Sequence, residues 1–454
     1  MNAPIDPILD QAQLHAATGR RGDTLRLLAG FEAVQPPNPN RLARAAMLLT
    51  QLGAHEAALR CHLRLFALLP GNPQALKGLA AAETATGLMA EAEAHLDQAI
   101  ARDPGDFDAW YNRSTLRRQT FADNHIEQLR AMLAGPAAGT RGEIPLCHAL
   151  SKELEDLSEH AASFAYLKRG ADRRRAALSY KVEGDIETMA AIAETFTPEL
   201  LARPVPAASE EGPIFILGLP RSGTTLIDRI LSSHPDVESF GELSDFAMAL
   251  TSGISGATSK GDFVRRAGAM DFAALGRRYL AGVNGFARAK PLFIDKLPSN
   301  FLYIGLIRLA LPRARIVHLR RRPMDAGYAI YKTLFRMGYP YSYDQADLGR
   351  YMAAYYRLMD HWRRAAPGFV IDVDYETLVA SPEPTVRALL AACDLPWNPA
   401  CLDFHARSAP VATASAAQVR EPIYTSSVGL WRRYESGLVP LARALAVEGV
   451  PIDG

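Results

Sequence analysis

From Pro213 onward the chain alternates short apolar runs with longer amphipathic stretches. The runs Ile214–Leu217, Leu292–Ile294, Ile316–Leu319 and Phe369–Val373 are bounded by turn or charged residues. Such brevity and continuity predict parallel strands covered on both faces. Between them Thr224–Ser233, Phe301–Leu311, Pro323–Phe335, Leu348–Ala365 and Glu383–Ala392 carry apolar residues at helical spacing. The alternation predicts an α/β three-layer sandwich around a parallel sheet, with any ligand at the C-terminal ends of its strands.

The N-terminal third repeats itself instead. Gly19, Gly53 and Gly87 recur every 34 residues, as do Pro36, Pro70 and Pro104, and Asn38-Pro39 and Asn72-Pro73 keep the same register. Two Ala- and Leu-rich helical stretches fill each period. Period and content resemble the tetratricopeptide repeat, with Ala58 and Ala92 at the close-approach position of the paired helices and Trp110 at an aromatic position. The resemblance is clearest over residues 39–104. It implies an all-α repeat domain over residues 1–200, with a degenerate helical hairpin after Asp156. A linker at 201–212 follows, where Pro204, Pro206 and Gly212 cannot sustain a helix. Residues 213–454 form the α/β domain.

Composition changes this picture little. The 454 residues carry a net charge of +1, which gives no argument for nucleic-acid or membrane partners. Cys61, Cys147, Cys393 and Cys401 are scattered, without metal-ligand spacing, and are expected as reduced structural thiols; no metal is called for. No apolar run reaches the ~18 residues of a membrane helix, and the N-terminus lacks signal-peptide features. A soluble, cytoplasmic protein is expected. The excess of Arg over Lys and the abundance of Ala suggest a bacterial, GC-rich source.

Chemistry concentrates at Gly218-Leu-Pro-Arg221-Ser222-Gly223-Thr224-Thr225, a strand, turn and helix start with the G-x-x-x-x-G spacing of a P-loop. Backbone N–H groups at such a helix start hold phosphate. Thr224 stands where a nucleotide triphosphatase needs Lys, so ATP or GTP with magnesium is disfavoured. Downstream, Arg320-Arg321-Arg322-Pro323 joins a strand to a helix. One of these guanidinium forks is expected to grip a second, separate phosphate.

A Lys-less P-loop with a strand-Arg-helix cluster downstream resembles the sulfotransferases that use 3′-phosphoadenosine 5′-phosphosulfate (PAPS), in particular the tyrosylprotein sulfotransferases and bacterial repeat-containing sulfotransferases. The resemblance covers about residues 213–440 and implies the sulfotransferase fold. It assigns Arg221, Ser222, Gly223, Thr224 and Thr225 to the 5′-phosphosulfate, Arg221 also to stabilising the sulfuryl group in transit, and Arg321 to the 3′-phosphate. The family's usual Ser eight residues later is here Ala329; Lys332 either compensates or is a surface charge. In Gly241-Glu242 the carboxylate matches the general base, and in Asp295-Lys296 the Lys matches the group that stabilises the sulfuryl group in transit. Asp295 either orients Lys296 or closes a structural salt bridge. Ser415 is assigned to the sulfate or bridging oxygen, and Arg420 and Tyr424 to the nucleotide or acceptor cleft. The basic residue usual before Trp431 is replaced by Leu430.

The expected activity is therefore sulfuryl transfer from PAPS to an acceptor hydroxyl with Glu242 as base. The acceptor, a peptide tyrosine, a glycan or a small molecule, stays open, and so does the oligomeric state; the repeats either dock a peptide, protein or glycan or form a scaffold that packs on the neighbouring domain or on a dimer mate. Two alternatives remain. One is a degenerate P-loop kinase using ATP and Mg²⁺, with Asp295 or Asp372 as the metal-binding carboxylate. The other is a catalytically silent repeat scaffold that binds nucleotide.

Overall fold

The computed structural model describes residues 6–452 apart from 19, 34–36, 206–211, 286–287, 336–337 and 407–422. Two compact units emerge: one runs up to Ser179 and takes in Lys332–Asp344, and the other holds most of the chain from Tyr180 onward.

The first unit is helical. Helices Pro39–Gln51 and His55–Leu68 form one hairpin, Pro73–Thr86 and Met89–Arg102 the next, and Phe107–Thr115 starts a third at the same 34-residue step. The register is set by caps. Asn38 accepts from Arg41 N–H, Asn72 from Gln74 and Ala75, and Asp106 from Ala109, each satisfying a donor that the first helical turn leaves open. Gly53 and Gly87 adopt positive φ at the turns inside the hairpins. Ala58 and Ala92, expected where the paired helices approach closely, are fully buried. Gly19 and Pro36 lie outside the described residues. The hairpin expected after Asp156 turns there instead, with Glu143–Asp156 before the turn and His160–Ala176 after it, and Ser163 Oγ donates to the Ser151 carbonyl at 2.7 Å.

The second unit is built on a five-stranded parallel sheet: β1 (Ile214–Gly218), β2 (Val237–Ser239), β3 (Leu292–Lys296), β4 (Arg315–Arg320) and β5 (Val370–Asp374), in the order β2-β3-β1-β4-β5. Alternation along the strands sorts the core into two faces. Ile214 and Ile216 join Ile227, Ile230, Val317, Val386 and Leu389 on one side, against helices Thr224–Ser232 and Pro382–Ala392. Phe215 meets Phe246 edge-on and lies tilted against Tyr279 on the other. Three layers result, as the apolar pattern predicts. β2 has no such signal, because it is three residues long with one buried apolar side chain.

Two boundaries differ from the expected ones. Glu183–Thr195 and Pro198–Leu201, placed with the repeats by composition, pack in the sheet unit: the Phe196 carbonyl accepts from His361, its ring meets Trp362, and Glu183 pairs with Arg350 at 2.7 Å. The helical domain therefore ends near Ser179, not at 200. The helix expected over Pro323–Phe335 stops at Tyr331. Lys332–Asp344 then belongs to the helical unit, where the Tyr343 ring lies under Arg174 and edge-on to His148. All four cysteines are buried and unbridged. No helix among the described residues is long and apolar enough to cross a membrane.

Candidate active site

The central strand β1 ends at Gly218, whose φ of +149° leaves no room for a side chain: a Cβ would sit 2.7 Å from the Leu319 carbonyl oxygen of β4. The chain then turns through Leu219–Gly223, with Ser222 N–H donating to Leu219 O at 3.3 Å. Arg221 holds a left-handed φ of 64°, which a non-glycine residue adopts at a cost and which concentrates at functional loops. Gly223, at φ +107°, caps helix Thr224–Ser232, and a Cβ there would meet the Tyr375 ring at 2.8 Å. Backbone N–H groups thus converge at the positive end of a buried helix. Ser222 Oγ is buried there without a hydrogen-bond partner.

At the end of β4 the three arginines separate by role. Arg320 makes a two-pronged bond to Asp374, at 2.8 and 2.9 Å. Arg322 is exposed, and its backbone N–H is held by Glu376. Arg321 turns inward. Its guanidinium donates to the carbonyls of Arg221 and Ser427, each at 2.9 Å, and lies over the Tyr375 ring, while Nε is buried without a partner. The C-terminal segment is fastened alongside by Tyr375 OH to Ser427 Oγ at 2.7 Å and by Gly429 N–H to Asp325 at 2.9 Å.

The third part lies at the end of β3. Phe240 N–H donates to Ile294 O and Lys296 N–H to Gly241 O, so two backbone bonds strap the Gly241-Glu242 turn to the strand. Lys296 Nζ donates to Glu242 Oε1 at 2.6 Å. Glu242 precedes the helix Asp245–Thr251 by a turn of chain, so Asp245, and not Glu242, occupies the dipole position. Asp295 points to the opposite face of β3. It accepts from Tyr279 OH at 3.0 Å and Asn300 Nδ2 at 3.1 Å, and burial pushes its carboxyl up to about 8 against those bonds. It neither bonds Lys296 nor closes a salt bridge.

A model of the sulfotransferase family matches residues 213–399. Those residues belong to the sulfotransferase family. A tetratricopeptide-repeat model matches residues 73–116 of the helical unit. Over 390 residues the chain is 31% identical to an uncharacterized protein of Aquifex aeolicus, covering 83% of this chain and 50% of that one, so it spans half the length of that relative. It is 26% identical over 230 residues to a protein of Caenorhabditis briggsae provisionally named a protein-tyrosine sulfotransferase, covering 48% of this chain and 80% of the relative. Among solved structures, the sulfotransferase domain of the Synechococcus olefin synthase aligns at 20% identity with a TM-score of 0.38, over 55% of this chain and 99% of that domain.

Within the sulfotransferase domain the turn Arg221–Thr225, Arg321, Glu242 and Lys296 all lie at the C-terminal edge of the sheet, after β1, after β4, after β2 and at the end of β3. Tyr424 is half-buried, three residues before the Ser427 carbonyl that Arg321 holds. Ser415 and Arg420 lie outside the described residues. Lys332 is placed in the helical unit, paired with Glu155 at 2.6 Å. His234 is structural: Nδ1 accepts from Asp236 N–H and Nε2 faces the Pro396 carbonyl.

Two residues of the sulfotransferase domain escape sequence reasoning. Tyr375 reads as part of a strand-to-helix joint, yet its ring abuts Gly223 and underlies Arg321. Asp228 lies one turn beyond Thr224 and is 7% exposed. Burial raises its carboxyl above the usual range, opposed by the Lys296 charge and by a hydrogen bond from Ser239, whose Oγ also accepts from Gly241 N–H at 3.1 Å. Helix Thr224–Ser232 is thereby tied to the turn that carries Glu242. Its one sequence signal is an acid inside the apolar run Leu226–Leu231.

Proposed function

We propose that the chain moves a sulfuryl group from PAPS to an acceptor hydroxyl. The observation that carries this reading is the Lys296–Glu242 pair, strapped to β3 beside a phosphate turn that has Thr224 in place of the nucleotide-triphosphatase Lys.

The residues fit such a donor. Ser222 Oγ and Arg321 Nε are buried donors with no partner, and the Gly218 and Gly223 positions leave the backbone bare where an anion must approach. In this reading the N–H groups of Arg221–Thr225 and the Ser222 hydroxyl hold the 5′-phosphosulfate, and Arg321 holds the 3′-phosphate. When bound, PAPS supplies the sulfuryl group, whose bond to the 5′-phosphate oxygen breaks as the acceptor oxygen bonds to sulfur. Glu242 takes the acceptor hydroxyl proton. Lys296, nearly sealed from water, donates to the oxygens on which charge builds, where a low-dielectric surrounding strengthens it. Ser415 is assigned to the same oxygens, and Arg420 and Tyr424 to the cleft wall. Peptide tyrosines and glycans are the acceptors favoured, with the repeats as their docking surface.

The kinase alternative is weakened by both of its candidate carboxylates. Asp295 is buried behind the sheet, and Asp372 is already bonded to His318 and Arg363. Calorimetry with 3′,5′-adenosine bisphosphate and with ATP separates the readings. Binding of the bisphosphate without metal supports ours; preferential binding of ATP that requires magnesium overturns it. Labelled PAPS supplied with host extract should then mark an acceptor, and tight bisphosphate binding with no transfer to any fraction would favour the silent scaffold.

A further inference from the structure

Behind the phosphate turn, buried polar groups form one continuous chain of hydrogen bonds that the transfer chemistry does not use. His318 of β4 bonds through Nδ1 to Asp372 Oδ1 of β5 at 2.6 Å and through Nε2 to the Tyr355 hydroxyl of helix Gln345–Ala365. Two turns along that helix, Arg363 donates to both Asp372 oxygens, at 2.8 and 3.1 Å. At the other end the Tyr355 hydroxyl meets the backbone of Leu219, the residue after Gly218. His318 and Tyr355 are 1% and 2% exposed.

The direction of every bond in this chain follows from the donor inventory. Burial alone would raise the Asp372 carboxyl, but the His318 and Arg363 bonds prevail and hold it well below the usual range, so it only accepts. Burial also lowers His318, against the pull of Asp372, which keeps the imidazole neutral. Nδ1 must then carry the proton and Nε2 must accept from Tyr355 O–H. The phenolic oxygen is left to accept the Leu219 N–H, while the Leu219 carbonyl takes the Ser222 N–H that closes the turn.

We propose that Arg363, Asp372, His318 and Tyr355 are positioning residues for the phosphate turn: they fix the Leu219 peptide plane and so the aim of the N–H groups that follow it. None of the four is placed against the donor. The proposal rests on the sulfotransferase reading for what the turn holds, but the polarity of the chain is a property of the free protein.

Nitrogen-15 NMR of histidine-labelled protein, with the His318→Gln variant to assign the signal, reads that polarity directly. His318 should be the Nδ1–H tautomer, the minor form of free imidazole in water; an Nε2–H tautomer or an imidazolium at neutral pH overturns the proposal. Tyr355→Phe should weaken 3′,5′-adenosine bisphosphate binding about tenfold, and the loss should appear in the KM for PAPS rather than in kcat. Asp372→Asn should move the His318 proton to Nε2 and weaken binding to a similar degree. If Tyr355→Phe does not fold, the wild-type tautomer and Asp372→Asn carry the test; unchanged affinity in the folded variants overturns the proposal. Wild-type protein that binds no bisphosphate at all would instead sink the sulfotransferase reading, and the tautomer would still be measured.

Discussion

Lys296 and Glu242 meet at 2.6 Å from opposite environments: the lysine side chain is 2% exposed and the glutamate 45%. The buried partner cannot leave its place, whereas the carboxylate has open solvent on one side and can turn to an incoming hydroxyl. Glu242→Gln should therefore cut kcat by about 10²–10⁴ and leave bisphosphate affinity within about twofold. A variant that turns over normally would remove Glu242 as the base.

Asp228 should matter through the turn that it anchors. Asp228→Ala frees Ser239 and loosens the Gly241-Glu242 strap, so transfer should fall about tenfold, on the scale of one lost hydrogen bond, at nearly constant bisphosphate affinity. Equal losses in kcat and in bisphosphate binding would mean that Asp228 supports the phosphate helix and not the base.

Gly223→Ala tests the cradle by sterics alone. The added methyl meets Tyr375 at 2.8 Å and has to tolerate φ +107°, so the helix start must shift. Bisphosphate binding should weaken by at least about tenfold, while thermal unfolding of the repeat unit stays in place. Intact binding would mean that the turn is not the phosphate site.

Asp295 makes a prediction about pH. Its folded value, about 8, lies above its unfolded value near 4, so the folded state retains a proton that the unfolded state releases. The stabilisation is complete below about pH 4 and is lost as pH rises through the window to about 8. Urea unfolding of wild type and Asp295→Asn across that range should show the wild type losing stability relative to the variant as pH rises. Parallel curves would mean that Asp295 is ionised in the folded protein.

The fold was legible because it is written in local signals: a 34-residue period with its capping Asn residues, four apolar runs, and a glycine-bounded turn after the first of them. What lay hidden depends on contacts between distant segments. β2 is recruited by β3 rather than by its own sequence. Glu183–Thr195 looks like one more repeat helix, since amphipathic helices read alike whichever unit covers them, and Arg350 and Lys260 show where it packs. Three adjacent arginines cannot be told apart along the chain; Asp374, Glu376 and the Ser427 carbonyl sort them. His318 reads as a core histidine, and it is buried, yet its bonds to Asp372 and Tyr355 link that core position to the turn after β1.

Arg321 reaches back 100 residues to the carbonyl of Arg221 and forward 106 to that of Ser427. A contact so distant in sequence cannot form until both segments have left the ribosome. The hairpins between Pro39 and Thr115 have their sequence neighbours much earlier and can pack while the rest, including the Lys332–Asp344 segment of the helical unit, is still being made. Competence to bind a nucleotide should thus wait until the segment around Ser427 has been made and docks, so a nascent chain presents packed repeat hairpins well before it can take one up.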